Sequence, residues 1–388
     1  MRVLITGGAG FIGSRLAKRL AERGALVTVL DNLSEQIHGA DANFAIDLEA
    51  AADCVKGDVC DRDLMSELIR GKDVIVHLAA ETGTGQSMYA VQRYEHVNIR
   101  GTAVLLELLV ENRPRSLRKV VVASSRAVYG EGQYVCRTHG IVFPSARTAA
   151  ALAAGHYEPV CPHCGEGIEV APTSEDAPFA PSSFYGLTKQ IQEQMVLMFA
   201  SAIGISAFGL RYQNVYGPGQ SLQNPYTGLL AVFSNLVRQG KKINIFEDGE
   251  ESRDFVYVDD VVDATVSCIE PEIEGLCALN VGSGVRTSVS SVARAVVDYF
   301  RADTPIEVTG DFRLGDIRHN VADISRIRAL TGFKPKWTFE EGVIRFLAWA
   351  ERQGAADSGF EASLAELRER GLLGLNTTRA SCLASPPV

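Results

Sequence analysis

Seven residues near the start restrict the fold more than any others: Gly7-Gly8-Ala9-Gly10-Phe11-Ile12-Gly13. They follow a short apolar run at 3–6 and open a stretch at 11–23 with helical periodicity. Glycines at a G-x-x-G-x-x-G spacing let the backbone turn tightly and approach a pyrophosphate held at a helix N-terminus. The next apolar run, 26–30, ends at Asp31, 18 residues after Gly13. A carboxylate there accepts hydrogen bonds from an adenosine ribose 2′-OH and repels a 2′-phosphate, so the pattern predicts NAD and not NADP. Asp58, after a third apolar run, lies within reach of the adenine amine in such an arrangement, although a solvated loop Asp fits the sequence nearly as well.

Further apolar runs at 54–57, 74–79, 119–123 and 205–210 alternate with helical patterns at 62–69, 94–111 and 185–201. The runs are continuously apolar, as in strands buried on both faces, and predict an α/β fold with a Rossmann-type doubly wound parallel sheet. A Rossmann domain over 1–211 is expected, interrupted by an insertion at about 131–178 that shows no sustained period. A smaller, mainly substrate-binding domain over 212–355 is expected to return some segments to the first. Residues 371–388 read as a flexible tail.

The 388 residues are 46% hydrophobic and 22% charged, which excludes disordered, collagen-like and coiled-coil chains. A net charge of −9 argues against sequence-independent nucleic-acid binding, so an anionic ligand must be met by a few local arginines. No apolar run approaches the ~20 residues of a membrane span. The apolar opening is too short for a signal peptide, so the expected location is the cytoplasm. The eight cysteines then read as thiols or metal ligands before disulfides.

Within the insertion, Cys136-x-x-His139 precedes Cys161-x-x-Cys164. Two such knuckles offer four soft ligands for a tetrahedral, structural Zn²⁺, with no open position for water or substrate. His156 and His163 are spare ligands, and a Cys161–Cys164 disulfide or an unbound loop are the alternatives. Cys54, Cys60, Cys268 and Cys277 sit on apolar segments and read as core thiols.

Tyr185 and Lys189 stand four residues apart, on one face of the predicted helix. A neighbouring ammonium favours phenolate over phenol and would make Tyr185 a usable base. With this pair in place, the chain resembles the extended short-chain dehydrogenase/reductase family. The resemblance rests on the glycine pattern, Asp31, His77-Leu78-Ala79-Ala80, Asn98, Ser124-Ser125-Arg126-Ala127-Val128-Tyr129-Gly130 and Tyr-x-x-x-Lys. Arg211-Tyr212-Gln213-Asn214-Val215-Tyr216-Gly217 and Arg253-Asp254-Phe255-Val256-Tyr257 are similar to its nucleotide-sugar epimerase and dehydratase branch.

The resemblance implies that Ser125 bonds the reacting sugar hydroxyl, Tyr185 is the acid/base, and Lys189 binds a nicotinamide ribose and tunes Tyr185. NAD, tightly bound, would meet Gly7, Gly10, Phe11, Ile12, Gly13 and Asp31 at one end, with Asn32, Asp58 and Val59 nearby. Leu78, Ala79, Ala80, Asn98 and Tyr212 would complete its pocket beside Tyr185 and Lys189. Thr82 and Thr84 would face the sugar, and Asn214, Arg253 and Arg313 its diphosphate. A guanidinium fork suits phosphate oxygens on physical grounds alone.

Dehydratases of the branch carry an Asp-Glu pair after the catalytic hydroxyl residue; here Arg126 and Ala127 stand there. That departure favours a 4-epimerase working through a transient 4-keto sugar over an enzyme that eliminates water. The insertion, with 214–228, resembles the subgroup acting on dTDP-L-rhamnose. UDP-glucose/UDP-galactose-type epimerisation and 4-ketosugar reduction are the alternatives. The family also implies a homodimer built on the helices at 94–111 and 185–201.

Overall fold

A computed structural model describes residues 1–40, 42–224, 228–354 and 359–375. Seven strands form a single parallel sheet: β1 (Arg2–Thr6), β2 (Leu26–Asp31), β3 (Asp53–Lys56), β4 (Val74–His77), β5 (Lys119–Ser125), β6 (Ser206–Tyr212) and β7 (Leu276–Val281). Their order across the sheet is β7-β6-β5-β4-β1-β2-β3. Chain progression reverses between β1 and β4, and ligands bind outside the carboxyl ends of strands at such a switch point.

The continuous apolar runs are explained by two covered faces. Val3 and Ile5 pack with Leu16, Val261 and Val266, carried by helices α1 (Phe11–Glu22) and Val258–Ile269. Leu4 and Ile75 pack on the opposite side with Met65, Leu105 and Val196. Those come from helix Arg62–Leu68, α2 (Gly101–Asn112) and α3 (Phe184–Ile203). Among the described residues no helix is long and apolar enough to cross a membrane.

A second apolar cluster lies outside the sheet, where helix Leu229–Arg238 packs with Val289–Phe300 and Phe339–Arg352. Strand Ser252–Tyr257 pairs in parallel with Asn214–Tyr216 and antiparallel with Arg286–Ser288. These pieces stand beyond the sheet's carboxyl edge and wall the far side of the cavity described below.

Three segments depart from the sequence reading. The stretch 94–111 is not one regular helix, because Glu95–Arg100 is π-helical between Val91–Tyr94 and α2. The insertion is not irregular: Tyr134–Cys136 pairs antiparallel with Gly140–Val142 and with Glu169–Val170, and Ala149–Ala153 is helical under a Thr148 cap. Strands of two or three residues are too short to print a period. The chain past 371 is not wholly a tail, since Leu373–Gly374 pairs with Phe312–Arg313 and Leu373 is buried. Residues 376–388, the rest of the expected tail, and 225–227 of the 214–228 motif lie outside the described residues.

Candidate active site

The glycine turn is made of backbone alone. Gly7 has φ +69°, and a Cβ there would stand 2.7 Å from the Ala79 nitrogen. A Cβ on Gly13 would meet the Gly7 carbonyl at 2.4 Å, so the start of α1 touches the end of β1 only because both lack side chains. Helix α1 has Gly10 as its N-cap and no side-chain cap. Its amide dipoles therefore face the cavity, and suit a pyrophosphate. Asp31, at the end of β2, accepts from Ala9 N (3.0 Å) and Leu33 N (2.9 Å), bracing the turn. His38 Nε2 lies 3.7 Å from it, a neighbour the sequence reading did not place there.

From this turn a cavity of about 680 Å³ runs to the C-terminal elements. Its wall includes Gly7, Gly10, Phe11, Ile12, Gly13, Asp31, Asn32, Asp58 and Val59, then Leu78, Ala79, Ala80, Thr82 and Thr84. Ser125, Tyr185, Lys189 and Tyr212 follow, with Asn214, Arg253 and Arg313 beyond them. Asn98 is absent from the wall. It is fully buried, with Nδ2 on Glu81 O (3.1 Å) and Thr188 Oγ1 (2.9 Å) and Oδ1 on Glu81 N (2.8 Å). The residue expected to touch the cofactor lies within the π-helical turn and ties the loop after β4 to α3.

Tyr185 and Lys189 share one side of α3, whose start is fixed by the Ser183 hydroxyl accepting from Gly186 N at 3.1 Å. A Cβ on Gly186 would approach the Ala127 carbonyl to 2.5 Å, so glycine lets the helix close on the turn after β5. That contact sets Ser125 and Arg126 beside Tyr185. Burial raises the Tyr185 phenol above its usual range, opposed by the Ser125 hydrogen bond and the Arg126 charge. Lys189 donates to Ala123 O (2.9 Å) and Gln192 Oε1 (2.8 Å) and has no carboxylate partner among the described residues, and burial pulls it down to about 7. Arg126 is thus a second cation beside Tyr185, its charge opposing the rise that burial imposes on the phenol, while burial disfavours the Lys189 ammonium itself.

Arg126 is a cavity residue that the sequence reading passed over, although its place directly after Ser125 at a strand end was the available signal. Its Nε donates to Asn214 Oδ1 at 2.7 Å, so that oxygen is engaged within the protein. Burial and the neighbouring Arg253 depress it to about 10. Arg253 is held by three backbone carbonyls: Ser252 (2.9 Å), Arg318 (3.0 Å) and Ile317 (2.8 Å). Arg313 lies over the Phe246 ring at 4.8 Å, and its Nε is buried without a partner. Glu251, also missed, lines the same end with a buried, unpartnered oxygen and is pushed up to about 7 by burial. Three guanidinium groups around one end of a cavity fit an anion of more than one charge. Tyr212 is anchored by Thr265 at 2.8 Å.

The insertion gathers Cys136, His139, Cys161 and Cys164 so that their ligand atoms all lie within 4.8 Å of one another. Cys136 and Cys161 Sγ are each 3.5 Å from His139 Nδ1, and the Cys136 and Cys164 sulfurs are 3.8 Å apart. His156 and His163 stay outside this group, and none of the four lines the cavity.

Residues 3–282 match the NAD dependent epimerase/dehydratase family. The chain is 40% identical, over 91% of its length and 95% of the relative's, to dTDP-L-rhamnose 4-epimerase of Burkholderia thailandensis. It superposes on the Thermotoga maritima UDP-glucose 4-epimerase with UDP-glucose at TM-score 0.73 and 28% identity, covering 91% of this chain and 99% of that one. The Thermus thermophilus UDP-glucose 4-epimerase complex with NAD gives TM-score 0.70 and 25% identity over 91% and 99%.

Proposed function

Since this chain belongs to the NAD dependent epimerase/dehydratase family, we propose that it is a 4-epimerase interconverting dTDP-L-rhamnose and dTDP-6-deoxy-L-talose through a transient 4-keto sugar. One observation carries the reaction type: Ser125, Tyr185 and Lys189 meet in a cavity that opens from a glycine turn shaped for a dinucleotide, and the two residues after Ser125 are Arg126 and Ala127. The sugar and base are taken from the 40% identical relative.

NAD, when bound, supplies the hydride acceptor and donor for C4. The chain's own residues handle the proton and the pose. Tyr185, as phenolate, takes the proton of the 4-hydroxyl while Ser125 holds that oxygen. It returns the proton to the same oxygen after the keto sugar has turned over. Arg126 stabilises the phenolate, and Lys189, at about 7, is poised between its charged and neutral forms. Arg253 and Arg313 hold the diphosphate, which stays fixed while the sugar swings.

Incubation of the purified protein with dTDP-L-rhamnose and no added reductant tests this directly. The expected product is its C4 epimer. Conversion of UDP-glucose to UDP-galactose in its place would move the substrate, and stoichiometric NADH consumption would mark a ketosugar reductase. No epimer from any dTDP- or UDP-hexose would sink the reading.

The Cys/His cluster is proposed as a structural zinc site. Tetrahedral Zn²⁺ bonds of about 2.3 Å to sulfur and 2.0–2.1 Å to nitrogen imply S···S near ~3.8 Å and S···N near ~3.6 Å. The separations of 3.8 and 3.5 Å match both. A homodimer through α2 and α3 is likewise proposed, as these helices leave Val110, Leu187 and Met198 exposed.

A further inference from the structure

Arg147 belongs to the insertion, does not line the cavity, and keeps only 4% of its side chain exposed. Its Nε donates to Glu131 Oε1 (2.9 Å), and Nη1 donates to Glu247 Oε2 (2.7 Å) and Tyr157 O (3.1 Å). Nη2 donates to the carbonyl of Asp316 at 2.9 Å. The other oxygen of Glu131 accepts from Arg318 N at 2.7 Å. The Arg318 side chain in turn meets Glu158 of the insertion, Glu247 and Asp248.

These bonds converge on a few residues of backbone. Asp316 is pinned through its carbonyl and Arg318 through its amide, both from the insertion. The carbonyls of Ile317 and Arg318 are two of the three that fix the Arg253 guanidinium. Asp316 N reaches back to the Arg313 carbonyl at 3.4 Å, closing the turn that carries Arg313. The residues of the insertion thus bond to the backbone on which both arginines rest, and none of them lines the cavity.

We propose that Arg147 is a positioning residue for the diphosphate-binding pair Arg253 and Arg313, holding the 316–318 backbone on which both depend. This role rests on the nucleotide-sugar reading above. Lysine cannot replace it, because one ammonium cannot serve Glu131, Glu247, Tyr157 O and Asp316 O along the directions of a guanidinium fork. The charge, however, is kept by lysine, so Glu131 and Glu247 retain a neutralising neighbour.

The test compares the NAD-loaded full chain with Arg147→Lys by calorimetric titration of dTDP, which needs both arginines, and of thymidine, which has no phosphate. Arg147→Lys is expected to weaken dTDP binding and raise the sugar-nucleotide KM roughly ten-fold, since ångström-scale misplacement of binding groups has effects of this order or larger. Turnover at saturation should change by no more than about two-fold, and thymidine binding and NAD content should be unchanged. Glu131→Gln, which preserves an acceptor for Arg318 N, should shift dTDP binding in the same direction and keeps the idea testable if Arg147→Lys folds poorly. Unaltered dTDP affinity in both variants, or an equal loss of dTDP and thymidine binding, would overturn the role and leave a scaffold contact. Failure of the wild type to epimerise any sugar would reject the proposed reaction while the dTDP titration still reads the positioning. Failure of the wild type to bind dTDP or UDP would reject this role.

Discussion

Two buried assemblies of charge lie on either side of the cavity and behave in opposite ways. Around Tyr185 the charges are few and lack counter-ions: Lys189 rests on a carbonyl and an amide and falls to about 7, and the phenol is pushed up. Around Arg147 the charges are just as buried but fully matched, and ion pairs with Glu131 and Glu247 hold the guanidinium above its usual range despite desolvation. Burial without a partner makes a group's protonation easy to change, which acid/base chemistry needs. Burial with partners makes a group rigid and costly to alter, which suits a support for Arg253 and Arg313.

The largest effect should come from the unpaired side. Tyr185→Phe removes the proton carrier and is expected to lower kcat by roughly 10²–10⁴-fold with NAD content unchanged, measured by turnover and by cofactor absorbance after denaturation. Arg147→Met probes the paired side. It removes the guanidinium partner of the buried Glu131 and one of the two that Glu247 has, Arg318 being the other, and should cost about 3–5 kcal/mol in denaturant unfolding. A loss below ~1 kcal/mol would erase the distinction between the assemblies. Cys161→Ser should lower zinc content from about one per chain and open residues 136–164 to proteolysis, while NAD stays bound at the distant Gly7–Gly13 turn. Turnover falling in step with metal loss at unchanged KM would instead make the metal catalytic.

Two smaller predictions concern pH. Lys189 has a folded value lowered to about 7 from the ordinary 10.5, so between those limits the unfolded chain binds more protons. Its contribution to stability is therefore full above the ordinary value and is lost as pH falls toward 7. Lys189→Met should flatten the pH dependence of unfolding across that window relative to wild type, even as turnover collapses. Arg126→Met removes the cation that favours the phenolate, so the rising limb of kcat against pH should move upward by roughly one unit or less. A downward shift would mean that Arg126 does not act on Tyr185.

Much of the candidate site was legible because it depends on short spacings. The glycine turn, Asp31 and the Tyr185/Lys189 pair each follow from the period of a strand or helix, and the structure brings them to one cavity. The tuning was not legible in the same way. An ammonium four residues from a phenol suggests a lowered phenol, whereas burial raises the Tyr185 phenol and Arg126, arriving from the end of β5, opposes that rise. Asn98 is buried away from the cavity wall, within a π-helical turn that leaves no mark in hydrophobic periodicity. The insertion's ligand spacing was readable, whereas its small sheet was not.

The amino-acid sequence by itself determined the parallel sheet, the dinucleotide turn, the helix bearing Tyr185 and Lys189, and the Cys136/His139 and Cys161/Cys164 spacings of the insertion. The turn, the Tyr185/Lys189 spacing and each Cys/His pair rest on near neighbours in the chain; the sheet was legible because each strand is a continuous apolar run, although its pairings join distant segments. Tertiary structure alone decided which charges would find partners. Arg147 meets a carbonyl 169 residues away, Glu131 meets an amide 187 away, and Lys189 meets no carboxylate among the described residues. In a buried setting the presence or absence of a counter-charge sets whether a side chain titrates or holds still, and that depends on packing that no local pattern encodes.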